Sequence, residues 1–237
     1  MNTLFKTLSF ACLTSMVLIV SSCANEDPGP LQASEKEFSV IDFDRLEMGS
    51  GFEIDVKQSS TYRINVEGDH RNINDLVVFK SGSTLIIKYK DNANRNHETK
   101  ISIEMPELRG VNFTGASESK VRDFESDQEF ELNLSGGSVC QLVAGYRSVK
   151  GVISGASSVL MEGLGDEVNV DISGASSLVA FDYPVRAAKL KVSGASHAKV
   201  TATDELNVTA AGGSALLYRG SPILNFSVSG ASTVEKD

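Results

Sequence analysis

The amino-acid sequence predicts an all-β chain: a parallel β-helix of about seven coils, right-handed by expectation, behind an N-terminal cap of β-strands. Three observations carry that prediction. A small-residue tetrapeptide recurs seven times, its copies are spaced almost evenly, and the residues on both sides of each copy alternate between apolar and polar. The copies read TGAS at 114–117, SGGS at 135–138, SGAS at 154–157, 173–176 and 193–196, AGGS at 211–214 and SGAS at 229–232. Their first glycines fall every 18 to 21 residues. A fixed period of this length is the signature of a solenoid, in which no single repeat can bury its own apolar face and neighbours must stack.

Aligning the repeats on that glycine exposes the columns. Two residues before it stand Phe113, Leu134, Ile153, Ile172, Val192, Ala210 and Val228. Four before it stand Val111, Leu132, Gly151, Val170, Leu190, Val208 and Phe226. The columns between are polar, with Asn133, Asp171, Lys191 and Thr209 in one and Glu131, Lys150, Lys189 and Asn225 in the other. A period of two means a strand with one dry and one wet face. After the word a second strand begins, with Cys140, Val159, Leu178 and Leu216 four residues on and Leu142, Met161, Val200 and Tyr218 six residues on. Each coil is therefore strand, small-residue corner, strand and variable turn. The glycine suits a corner crowded by its stacked neighbours, and the serine column from Ser117 to Ser232 is placed to hydrogen-bond corner backbone or the next serine.

Residues 38–109 lack the word. They hold short alternating runs such as Phe52-Ile54-Val56, Tyr62-Ile64-Val66 and Ile101-Ile103-Met105, separated by Gly68-Asp69, Lys80-Ser81-Gly82-Ser83 and a polar stretch at 91–100. These read as hairpin-linked strands capping the first coil, with the coils proper at 110–237.

The first 37 residues are of another kind. Lys6 precedes an apolar run from Leu8 to Val20, shorter than the ~20 residues that span a bilayer, and residues 1–22 read as a secretory leader. Val20-Ser21-Ser22-Cys23 resembles the bacterial lipobox, where cleavage leaves the cysteine first and its thiol is acylated. Cys23 is thus the expected lipid-attachment site. Residues 23–37 then form a polar tether with acids at Glu26 and Asp27, which resemble an export signal toward the outer face. Those features imply an outer-membrane lipoprotein of the cell envelope, exposed at the surface and held by acyl chains.

Chemistry is sparse. Cys12 leaves with the leader, so Cys140 is the one thiol left and no disulfide is expected; its inward column marks it as a small buried hydrophobe. A net charge of −9 disfavours nucleic acid. The wet columns offer Asp171 beside Lys189 and Lys191, a cross-coil charge pair rather than the stacked carboxylates of a polysaccharide-cleaving β-helix, and His70, His97 and His197 are scattered. The sequence therefore predicts no enzyme, no metal and no cofactor. Tyr146, Phe181, Tyr183 and Tyr218, in or near the variable turns, are the candidate contacts for a glycan or protein ligand. An envelope scaffold is the second reading, and a polysaccharide-degrading enzyme is the least favoured. The last coil, followed only by Glu235-Lys236-Asp237, is expected to leave strand edges open to a second copy or another envelope protein.

Gly51-Phe52-Glu53-Ile54-Asp55-Val56, Gly82-Ser83-Thr84-Leu85-Ile86-Ile87, Ile103-Glu104-Met105-Pro106-Glu107-Leu108 and the SGAS coils resemble the auto-transporter adhesin "head GIN" domain family of bacterial surface lipoproteins, over residues 40–237. That resemblance implies a β-helix, export and an adhesive role, and it supplies no catalytic residues to carry over. Nothing in the sequence forms an autotransporter barrel, so the adhesive label rests on analogy of fold.

Overall fold

The computed structural model describes residues 29–91, 93 and 95–237. The leader at 1–22, the lipid-attachment cysteine Cys23 and the first part of the tether lie outside the described residues. Among those described, no helix is long and apolar enough to cross a membrane.

The repeats form a β-solenoid of stacked parallel coils. β8 (Gly110–Phe113) leads into the first tetrapeptide, and β9 (Glu118–Leu134), β10 (Val139–Ile153), β11 (Ser158–Leu164), β12 (Glu167–Ile172), β13 (Ser177–Val192), β14 (His197–Ala210), β15 (Ala215–Arg219), β16 (Ile223–Val228) and β17 (Thr233–Lys236) follow. Every pairing among them is parallel, and residues at the same distance from the word fall in register: Ile153 beside Ile172, Ile172 beside Val192, Val192 beside Ala210. Strands before the word make one sheet, the leading face. Strands after it make the opposite sheet, the trailing face.

The alternation dictates the core. Val170, Ile172, Leu178 and Ala180 are buried while Asn169 and the leading-face lysines are exposed. Fully buried aliphatic and aromatic side chains run the length of the rod as one cluster. Arg109, six residues before Gly115 in an otherwise apolar column, departs from it. The strand starts only at Gly110, and the guanidinium turns outward to Glu107 at 2.8 Å.

Residues 38–109 are more than a cap. β2 (Arg45–Met48) and β3 (Glu53–Gln58) flank Gly49-Ser50-Gly51 and make a complete rung, with Met48 beside Phe113 and Ile54 beside Ser119. β6 (Thr84–Tyr89) and β7 (Thr99–Met105) pair with the other edges of β2 and β3, again in parallel. The β2–β3 rung is therefore inserted between β6–β7 and β8–β9, out of chain order. Beyond it the sheets close antiparallel, with β5 (Leu76–Ser81) on β6, β4 (Arg63–Asp69) on β7 and β1 (Ala33–Phe38) on β4. The short helix α1 (His70–Asn74) joins β4 to β5 and buries Ile73. Its N-cap Asp69 is buried and accepts hydrogen bonds from the Arg71 side chain and from the backbone N–H groups of Arg71 and Gln32, which hold its carboxyl far below the usual range.

Candidate functional site

Each rung turns at two corners. At the tetrapeptide corner the glycine is forced. Gly174 has φ +81, and a Cβ there would stand 2.4 Å from the Gly155 carbonyl oxygen; Gly194 has φ +75 and would meet the Gly174 oxygen at 2.5 Å. The serine that ends the word points inward. Ser138, Ser157, Ser176 and Ser196 are buried, and the backbone N–H of each of the first three donates to the next serine's Oγ: Ser138 to Ser157 at 3.2 Å, Ser157 to Ser176 and Ser176 to Ser196 at 3.3 Å. The serine column is thus internal polar wiring. It offers nothing to a ligand.

The opposite corner corrects the sequence reading. The chain does not leave the sheet in a loop at 144–147 or 181–184; it stays in strand and bulges. Register shifts fall between Val143 and Gly145, between Tyr146 and Ser148, and between Ala180 and Val185. One extra residue inverts the alternation. Two of the four candidate ligand contacts point inward: Tyr146, 1 % exposed, continues the alternation of Cys140, Leu142 and Ala144, whereas Tyr183, 0 % exposed, is turned in by the inversion after Ala180. The Tyr146 ring stacks on Phe130 at 4.5 Å, and its hydroxyl donates to the Leu108 carbonyl at 2.9 Å. The Tyr183 hydroxyl donates to the Tyr146 carbonyl at 2.9 Å and accepts from the Tyr146 N–H at 3.1 Å. Burial pushes the Tyr183 phenol up to about 12 and Tyr146 higher still. Both are core residues that satisfy bulge backbone, and neither reaches a ligand.

Tyr218 packs half-buried against the core near the end of the rod. Only Phe181 lies on the outer surface, and there the Arg219 guanidinium covers its ring at 3.9 Å, with the Lys199 ammonium at 5.8 Å. Cys140 sits in its inward column. Burial pushes its thiol up to about 11, the condition of an unreactive cysteine.

What the structure does present is the trailing face. Register places Lys120, Gln141, Leu160, Val179, Lys199 and Leu217 in one row across six rungs, all pointing outward. Beside this row lie Val139, 45 % exposed, and Phe181. The middle of the face is therefore an apolar stripe on a flat sheet. Toward the N-terminal end it gives way to paired charges: Lys100 to Glu53 at 2.7 Å, and Arg122 to both oxygens of Asp55 at 3.1 and 2.9 Å. The Arg122 hydrogen bonds hold the Asp55 carboxyl below its ordinary range. Where stripe and charges meet is a shallow hollow of about 720 Å³ lined by Asp55, Lys120, Arg122, Gln141 and Leu160. The signal was present in the sequence, since Leu160, Val179 and Leu217 stand five residues after their glycines, at outward parity.

The leading face differs. It is polar, with Lys191 on Asp171 at 3.0 Å and Asn225 donating to Asn207 at 3.2 Å. A second hollow of about 450 Å³ lies over the bulged corner between Glu125, Asp127, Arg147 and Asp166. Among the described residues no three His, Cys, Asp or Glu side chains converge as a metal site would require.

Three comparisons bear on this arrangement. A family model described as "Putative auto-transporter adhesin, head GIN domain" matches residues 42–222. Among solved structures, a "putative adhesin" from Bacteroides fragilis superposes with a TM-score of 0.80 at 18 % identity, over 87 % of this chain and 97 % of that one. A "putative adhesin" from Parabacteroides distasonis gives 0.72 at 19 % identity, over 88 % and 98 %. A "putative lipid binding protein" from the same species gives 0.69 at 19 % identity, over 86 % and 96 %. At these identities the likeness is one of fold. No curated protein matches the chain.

Proposed function

The chain belongs to the auto-transporter adhesin head GIN domain family, and from that premise we propose that it is a non-catalytic binding module, anchored by lipid at Cys23 and displayed on the outer surface of the cell envelope. The trailing face carries this reading. Exposed Leu160 and Val139 and partly exposed Val179 form an apolar patch between charged and hydrogen-bonding side chains, with Lys199 separating it from Leu217, on a sheet held rigid by the stacked rungs. An apolar patch with a polar rim on an otherwise soluble surface is the usual mark of an interaction site. A glycan fits this chemistry through its apolar ring faces and hydroxyls, and an extended protein segment fits it through its side chains. Catalysis finds no support in the same surface, because its carboxylates at Asp55 and Glu53 are already committed to Arg122 and Lys100.

A screen of the purified protein against glycans and extracellular-matrix proteins tests the reading. Binding is expected, and Leu160→Lys, which places a charge in the middle of the stripe without touching the core, is expected to weaken it at least tenfold. Binding that ignores Leu160→Lys would move the site off this face. For the anchor, cells fed a labelled fatty acid should mark the protein and leave Cys23→Ser unmarked; equal labelling of both ends that part of the reading.

A further inference from the structure

The two ends of the rod are built differently. At the N-terminal end the outermost strand of the trailing sheet is β1, whose Glu35-Lys36-Glu37 charges guard its edge. At the other end β16 pairs only with β14, and β17 only with β15, among the described residues. Their outer edges therefore present backbone N–H and C=O groups with no strand beside them. The core ends here as well. Phe226 and Val228 occupy inward columns, yet they are 58 % and 39 % exposed, with no rung beyond them among the described residues. β16 reads Ile-Leu-Asn-Phe-Ser-Val and carries no charge, although the chain as a whole carries −9. Elsewhere two copies repel one another, but this strand contributes nothing to the repulsion.

We propose that this open rung docks onto the same rung of a second copy of the chain, the two rods joining end to end about a two-fold axis. The register is self-complementary. Phe226 stands four residues before Gly230 and Val234 four after it, so the two face each other across the core at the same distance from the corner. An axis through both, normal to the sheets, sets β16 antiparallel to its own copy and β17 likewise. Phe226 then meets Phe226 of the second copy, Leu224 meets Val228, and Val234 meets Val234. On the outer surface Asn225 stands opposite Ser227, and Thr233 opposite Glu235. No like charges oppose each other. Two hydrophobic cores become one, and both unpaired edges are satisfied. Because the contact is isologous and the far ends are of another construction, the assembly closes as a dimer and does not grow into a fibre.

The direction of the rod gives this contact a use. Gly29 lies at the capped end, its carbonyl oxygen 3.0 Å from His97 Nε2. The open rung is about 40 Å away, at ~4.8 Å per rung. If Cys23 is acylated as proposed above, the open rung points away from its membrane, and two copies on facing membranes meet tip to tip. The docking itself does not depend on the anchor; the bridging of two surfaces does.

Cross-linking of the full-length protein in mild detergent tests the docking. Val234→Cys puts a thiol on the axis and should give a disulfide-linked dimer under mild oxidation, whereas Lys189→Cys, exposed midway along the rod, should not. Adding Asn225→Lys with Ser227→Lys to Val234→Cys places like charges opposite each other and should lower the dimer yield at least tenfold. Asn225→Lys with Ser227→Glu places opposite charges in the same register and should restore it. Asn225, Ser227 and Lys189 are exposed, and Val234→Cys is a small change at a partly buried position of the last rung, so the rod keeps its fold in every variant. Dimer yield no higher than that of Lys189→Cys overturns the proposal. So does indifference to the double lysine, failure of the lysine–glutamate pair to restore, or cross-linking to a different envelope protein instead. Vesicles carrying the acylated protein are the second arm. They should cluster with one another and lose that property with the double lysine. Dimers without clustering would uphold the docking and overturn the outward display.

Discussion

The tetrapeptide corner and the bulged corner reverse the same chain, once each per rung, by opposite means. At the first, the seven repeat rungs share one small-residue word, and each copy is fixed by the one below it. The glycine has no space for a Cβ because the neighbouring glycine's carbonyl fills it, and the serine hydroxyl accepts the neighbouring serine's N–H. At the second, no word is shared. Rungs gain a residue at different places, and the gap is filled by whichever large side chain faces inward there: Phe124, Tyr146 or Tyr183. Repetition secures one side of the rod and individually fitted packing secures the other. Tolerance of sequence change should follow the same division, with the first corner intolerant at every rung and the second intolerant only at its plugs.

The largest effect is expected at the first corner. Gly174→Val adds a β-branched side chain at positive φ, against a backbone carbonyl that is itself fixed by stacking. Such a change should cost about 4–5 kcal/mol, read by chemical denaturation. A cost below about 1 kcal/mol would show that the stack yields and that repetition does not fix this corner.

Next comes the plug at the second corner. Tyr183→Ala should cost about 3–4 kcal/mol through the cavity it leaves. Tyr183→Phe keeps the volume and removes both hydrogen bonds to Tyr146, so about 1–2 kcal/mol is expected. If the two variants melt alike, hydrogen bonding rather than volume sets this corner. The same residue gives a pH signature. Its phenol is raised in the folded chain, so its contribution is complete below the unfolded value near 10 and is lost as the pH climbs through about 12. Melting temperature should fall between those values, and less steeply in Tyr183→Phe; parallel slopes would sink the assignment.

Smaller is the serine column. Ser176→Ala strands the buried Ser157 N–H, worth about 1 kcal/mol, and a neutral result would mean that the ladder contributes no stability. Smallest is Asp171→Asn on the leading face. It breaks an exposed pair with Lys191 and should shift stability by less than about 0.5 kcal/mol. A larger shift would put part of the rod's stability on its surface charges.

The regular corner was legible in the sequence because its columns are counted from one glycine and every count is even. Ile172, Val170, Cys140 and the serines sit where those counts place them. The bulged corner was not, because a single added residue inverts everything until the next word restores the register, and nothing in Ala144-Gly145-Tyr146-Arg147 marks which residue is the extra one. The sequence places Tyr146 and Tyr183 in turns off the sheet; the chain instead stays in strand there and packs both rings inside. The β2–β3 rung was missed because Gly49-Ser50-Gly51 does the work of the tetrapeptide without its spelling. Phe226 shows another limit of the pattern: its parity is inward, but burial also needs a rung on the far side. Of the proposed binding surface, the apolar row through Leu160 and Val179 was countable, whereas its junction with the Asp55–Arg122 and Glu53–Lys100 pairs depends on the inserted rung and was not.

That insertion bears on the order in which the rod is made. β2 rests between β6 and β8, and β3 between β7 and β9, so these two strands find their partners only when residues 39 to 65 positions downstream have arrived. A chain delivered N-terminus first exposes these strands early and completes them late, since contacts so distant in sequence form slowly. The coils from β10 onward each stack on the rung just made and can zip up in sequence. Pulse-labelled hydrogen exchange during refolding should therefore protect Val170 and Leu190 before Ile54 and Val56, and growth would run back toward the cap as well as forward from it.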